Sequence, residues 1–225
     1  MSGRDAMLGR IRTALGRGTL DAGAAAEIDA RLGQPARNLV PERAKGDDDT
    51  LVSRFVSMAE EASASVARLS SASDIPAAIA EYLSSQNLPK SLRRAEHPAL
   101  ETVDWSASPL LSVTTGPTDG NDMVGLSVAL AGVAETGTLV MASGPQSPIT
   151  LNFLPDTHVV MVRRSDIVGG YEDSWDRLRA HMGERRRMPR AVNFITGPSR
   201  SADIEQTLLL GAHGPRRLHI LLLDD

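Results

Sequence analysis

The sequence predicts an α/β fold, a three-layer sheet with helices on both faces, behind an N-terminal helical extension. Three observations carry this. From residue 110 onward the chain offers short apolar runs, "LLSVTT", "MVGLSVAL", "GTLVMA", "THVVMV", "AVNFIT" and "LHILLL". Runs of that length and composition suit strands buried on both faces, as in a largely parallel sheet covered by helices. Between two of them, "YEDSWDRLRAHM" sets Trp175, Leu178 and Met182 at i, i+3 and i+7, a stripe suited to a crossover helix. Ahead of residue 110, helix and strand signals alternate. With 225 residues, 41% of them hydrophobic, the chain can bury one substantial core, and one main domain is expected.

The elements follow in order. "RDAMLGRIRTALGRG" places Met7, Leu8, Ile11 and Leu15 at helical spacing with arginines mostly on the other side. Arginine-rich amphipathic starts can be targeting peptides, but Asp5 and the lack of a serine-rich context favour a docking helix or subunit-contact arm. Residues 33–50, "GQPARNLVPERAKGDDDT", read as a linker. The expected division is therefore 1–45, amphipathic helix and linker, and 46–225, the main domain. Asp47 to Asp49 read as capping and first-turn charges of the next helix rather than as a cation site. That helix aligns Leu51, Val52, Phe55, Val56 and Ala59. A short strand is expected over 64–69. "SDIPAAIAEYL" is a further helix, with Ser73 or Asp74 as cap and Pro76 in the first turn, where a missing N–H costs little.

Composition excludes several functions. A net charge of −4 supplies no basic field for nucleic acid, and 3% aromatic residues leave few stacking platforms. There is no cysteine, hence no disulfide, thiol nucleophile or thiolate-held cluster in this chain. The five histidines, His97, His158, His181, His213 and His219, make no zinc-type spacing, and no metal site is expected. No GxGxxG fingerprint is present. Neither a membrane-length apolar run nor a secretory signal is evident, so a cytoplasmic location is expected. "ERRRMPR" at 184–190 reads as an exposed loop.

Two stretches could carry chemistry. "GVAETGTLVM" puts one carboxylate, Glu135, into an apolar run, where it must be paired, hydrogen-bonded or shifted in pKa. Those arrangements also prepare a catalytic acid, base or nucleophile. Gly137 permits a bend or close ligand approach. Thr136 and Thr138 could instead bond the carboxylate or its backbone in a purely structural turn. The second stretch, residues 194–223, turns at Gly197-Pro198 and reads as a helix from Ser199–Asp203 to Gly211. Its free N–H groups and Arg200 would suit a carboxylate or phosphate. Equally, Ser199, Ser201 or Asp203 caps the helix and Arg200 pairs with Asp203 or Glu205. His213, beside Gly214-Pro215, is an acid–base candidate or a turn-fixing residue.

Together "AGVAETGTLV", "LPDTHVVMV" and "GPSRSADIEQTLLLGAHGPRRLHILLL" resemble the lactate-utilisation (LUD) domain family, in its lactate utilization protein C (LutC/YkgG) group, over about residues 50–225. The opening helix is similar too. Ser201 stands where the common motif has threonine. The resemblance implies a fold like that of NagB, RpiA and the CoA-transferases, with 46–225 as the LUD domain. It further implies a subunit role in oxidising L-lactate to pyruvate beside LutA-like and LutB-like partners that hold iron–sulfur clusters, with no cofactor in this chain. A pocket for a small carboxylate or phosphate-bearing ligand would draw on Glu135, Thr136, Gly137, Thr138, Gly197, Pro198, Ser199, Arg200, Asp203 and His213. Alternatives are an independent transferase-like or sugar-phosphate-isomerase-like enzyme using Glu135, and a non-catalytic assembly factor.

Overall fold

The computed structural model describes residues 3–16, 18, 20–33, 35–183, 188–202, 208–211 and 213–224, with the backbone alone at 201–202 and 208–210. The chain forms two units, Met1–Leu39 and Val40–Asp225. The first holds helices α1 (Gly3–Ala14) and α2 (Ala22–Gly33), neither with a buried residue. The sequence pattern predicts α1 but gives no sign of α2. Alanines supply its helix propensity, and Ile28 and Leu32 are its only large apolar residues, too few to make a stripe.

The second unit contains helices α3 (Asp48–Glu61), α4 (Ile75–Ser85), α5 (Pro98–Glu101), α6 (Thr150–Phe153) and α7 (Tyr171–Met182). Its strands are β1 (Ser65–Leu69), β2 (Ser91–Arg94), β3 (Ser112–Thr115), β4 (Val124–Val128), β5 (Ala131–Val133), β6 (Thr138–Ala142), β7 (Thr157–Arg163), β8 (Ile167–Val168), β9 (Val192–Ile195), β10 (Arg200–Ala202), β11 (Leu208–Leu210) and β12 (Arg217–Leu223). The main sheet is six-stranded in the order β1-β12-β7-β4-β2-β3, and every pairing is parallel.

Alternation along the strands builds a core on each face. Val159 and Met161 of β7, with Leu221 and Leu223 of β12, pack with Ile75, Ile79 and Leu83 of α4. The intervening Val160, Val162, Ile220 and Leu222 pack with Val52, Phe55 and Ala59 of α3 and with Leu139 and Met141 of β6. The capping expectation is met at α3, whereas at α4 neither Ser73 nor Asp74 bonds the helix N-terminus with its side chain. Asp47 accepts from the Thr50 N–H at 2.9 Å, and Pro76 sits in the first turn of α4. The hydroxyl that caps the approach to α4 is that of Ser71, accepting from Ser73 N–H, while Asp74 accepts from Ser71 N–H.

A second sheet, β8-β5-β6-β9, lies against the α3 face. This corrects the expectation that "GTLVMA" and "AVNFIT" join the parallel sheet, since β6 pairs antiparallel with both β5 and β9. The turn over residues 134–137 is far too short for a parallel crossover. Helix α7 covers the other side of this sheet, with the rings of Tyr171 and Trp175 at 5.5 and 5.4 Å from that of Phe194.

Candidate functional site

Glu135 lies in the β5–β6 turn and is 7% exposed. One carboxylate oxygen accepts from Arg43 Nη2 at 2.7 Å, and its N–H donates to Gly169 O at 3.0 Å. A Cβ on Gly170 would approach the other carboxylate oxygen to 3.6 Å. Arg43 belongs to the short helical turn 42–44, which Arg54 fixes by donating to the carbonyls of Arg43 and Lys45. The buried charge is thus neutralised by an arginine in the segment read as linker, and the carboxylate clamps that segment onto the domain.

Gly137 adopts φ +63°, and a Cβ there would lie 2.2 Å from Ala59 N. The space beside it is filled by α3 backbone, so the close approach it permits is between helix and turn. The neighbouring hydroxyls bond one another rather than Glu135. Thr138 Oγ1 lies 2.7 Å from Thr136 Oγ1, 2.7 Å from Thr196 Oγ1 and 3.2 Å from Tyr171 Oη. This network joins the "AETGT" turn to the end of β9, where the second motif block begins.

That block departs from the predicted helix. Residues 200–202 and 208–210 are strands of an antiparallel hairpin, and Gly211 N–H closes it on Ser199 O at 2.9 Å. Asp203 and the segment 203–207 lie outside the described residues. A short leucine run serves either state, and pairing with residues 200–202 decides for strand. The helix-start anion site therefore has no helix. Arg200 instead donates to Ala62 O at 2.6 Å and to Ser63 Oγ at 2.5 Å, capping the carbonyl end of α3. Gly197, at φ +68°, also meets this helix end, since its Cβ would be 2.1 Å from Ala62 O.

Gly197, Pro198, Ser199, Arg200 and His213 do converge. They line a cavity of about 280 Å³ together with Asn152, His158, Thr196 and Leu218. Glu135, Thr136, Gly137 and Thr138 are not among its lining residues. His158 is the residue sequence reasoning missed. It is 1% exposed, and its Nε2 lies 2.6 Å from Ser127 Oγ, which donates to Asn152 Oδ1 at 3.2 Å. With the single hydroxyl proton committed to Asn152, the imidazole donates its Nε2–H to Ser127 and keeps Nδ1 as a bare acceptor. Nδ1 is buried without a hydrogen-bond partner among the described residues. Burial pushes the His158 pKa down to about 3, so the ring is neutral. The only signal in sequence was a histidine inside an apolar strand, at the start of "THVVMV".

Among the described residues no group of three or more His, Asp or Glu side chains is placed to hold a metal ion. No described helix is long and apolar enough to cross a membrane.

Comparisons with known proteins bear on the same residues. A family model described as "LUD domain" matches residues 52–223. Similar curated proteins include "Lactate utilization protein C" of Macrococcus caseolyticus (strain JCSC5402), 34% identical over 45% of this chain and 44% of that protein. The protein of that name from Bacillus subtilis (strain 168) is 35% identical over 45% and 42%. That from Geobacillus kaustophilus (strain HTA426) is 31% identical over 60% and 56%. The matched segments span about half, or less, of these relatives. A solved structure described as a duf162 family protein from Deinococcus radiodurans has the same fold, with a TM-score of 0.59 at 19% identity over 80% of this chain and 99% of that one.

Proposed function

The chain belongs to the LUD domain family, and from that premise we propose that it serves lactate utilisation as a subunit of an L-lactate-oxidising complex. In this reading the cavity bounded by Gly197, Ser199, Arg200 and His213 takes the 2-hydroxy acid, and LutA-like and LutB-like partners carry the iron–sulfur clusters. This chain has no thiolate to offer a cluster. The relatives named for lactate utilisation support the pathway. The observation that carries the ligand is the buried, unpartnered Nδ1 of His158, a residue that lines the same cavity as Arg200.

The chemistry matches a 2-hydroxy acid group by group. Its carboxylate requires a cation, which Arg200 supplies at the edge of the cavity while bonded to Ala62 and Ser63. Its hydroxyl requires an acceptor, which Nδ1 supplies, and satisfying that buried atom favours the complex. A simple carboxylate would leave Nδ1 unmet. An orientation that fixes both groups is what a substrate-presenting subunit needs.

Calorimetric titration of the purified protein, alone and with the partner subunits, tests this reading. L-lactate is expected to bind saturably, Arg200→Gln to weaken it about tenfold, and propionate, which lacks the hydroxyl, to bind more weakly. Deleting the gene should abolish growth on L-lactate. Absence of binding in both preparations, together with intact growth of the deletion strain, would sink the proposal.

A further inference from the structure

A larger cavity, about 580 Å³, opens at the other end of the main sheet. Its floor is the carboxyl ends of neighbouring strands, Val128 of β4 and Arg163 of β7, and Ala129 and Leu130 continue it. In open parallel sheets this edge is where ligands bind, because the strands stop together and their loops diverge. Its nitrogen-bearing donor side chains come from three separate elements. Arg163 ends β7, Arg177 and His181 project from α7, and His97 precedes α5.

Charge in this cleft is unbalanced. Arg177 is bonded to Asp166, the one carboxylate among the lining residues. Arg163 has no ion pair or hydrogen bond from its side chain among the described residues. The Nδ1 of His97 is occupied as an acceptor from Ala99 N–H at 3.2 Å. Burial, and after it the nearby charges of Arg163 and His181, holds His97 below its ordinary pKa, with Asp166 opposing. With Nδ1 accepting, the neutral His97 ring keeps its Nε2–H as a donor. Two guanidiniums, Arg163 and Arg177, stand against the single carboxylate of Asp166, and a bound anion would balance the excess charge.

We propose that this cleft binds a phosphomonoester, with the phosphate held by Arg163, His97 and His181 and the organic part lying on Pro98, Val128 and Leu130. Donors from three directions suit the peripheral oxygens of a phosphate and exceed what one carboxylate can accept. The apolar share of the walls, and a volume well beyond inorganic phosphate, call for an attached organic body. The site stands apart from the lactate cavity. None of its lining residues is shared with it, and each can fail alone.

Calorimetry on the full-length protein with phenyl phosphate as probe tests the assignment, with inorganic phosphate and benzoate as comparisons. Phenyl phosphate should bind saturably, inorganic phosphate more weakly but in competition with it, and benzoate more weakly than phenyl phosphate. Arg163→Gln and His181→Gln, both at exposed positions, should each lower affinity about tenfold with unchanged melting temperature. Arg200→Gln should leave it unaltered. The proposal is overturned by no saturable binding of phenyl phosphate at millimolar concentration, by affinity unchanged in both variants, or by benzoate binding as tightly.

Discussion

His158 and His219 project from neighbouring parallel strands to opposite faces of the main sheet, and both are kept neutral by burial, which pushes their pKa values down to about 3 and about 4. His219 stacks on Tyr82 at 3.8 Å between ring centroids, and its Nδ1 lies 2.8 Å from Ser65 Oγ. The unfolded chain takes up protons at both imidazoles below the ordinary value of 6.5, while the folded protein resists. Their contribution is therefore fully present above that pH and is lost as pH falls through the window down to about 3. The urea midpoint should drop steadily between pH 7 and pH 4. His219→Phe, which keeps a ring on Tyr82, should flatten part of that slope. An equally steep decline in the variant would show that His219 is not responsible. In sequence these histidines were apolar-strand residues without a motif. Their chemistry came from desolvation, which depends on what covers each face.

At the scale of elements, the carboxyl end of α3 organises both motif blocks. Gly137, in the β5–β6 turn, and Gly197, in the bend after β9, press against its carboxyl end, and Arg200 caps it. Ser63, in the left-handed region at φ 70°, ends the helix there. Gly197→Ala should destabilise the protein by about 2 kcal/mol or more, because it adds both left-handed strain and a clash with Ala62. Gly144→Ala, with nothing within 4 Å of its Cβ, should stay within about 0.5 kcal/mol of wild type. Urea melts of the two variants compare them directly, and similar midpoints would refute the close-packing role. The motifs were legible as glycine-bearing turns. That a helix end packs against these glycines required the tertiary contact.

For the domain as a whole, the decisive pairing is Arg43 with Glu135, separated by ninety-two positions in the chain. It fastens the segment before α3 to the β5–β6 turn, with Ala44 buried beside Gly169 and Gly170. The Arg43 side chain is 68% exposed and that of Glu135 8%, so opening the pair would leave a nearly buried carboxylate unpartnered, and the clamp holds. Glu135→Gln should make trypsin cleave at Arg43 or Lys45 severalfold faster, while lactate affinity is retained. Unchanged cleavage would remove the clamp, and loss of lactate affinity would return Glu135 to the ligand site.

The sequence by itself determined the α/β class, the buried parallel strands, the capping of α3 and the locations of the two motif blocks. Each depends on local periodicity or on chemistry a few residues away. Tertiary structure alone decided that "GTLVMA" and "AVNFIT" form a separate antiparallel sheet and that residues 200–202 and 208–210 pair as a hairpin. It also decided that Glu135 answers to Arg43, and that His158 faces a cavity while His97, Arg163 and His181 share another. Those outcomes follow from long-range pairing and desolvation, and no local pattern encodes which distant residue will arrive.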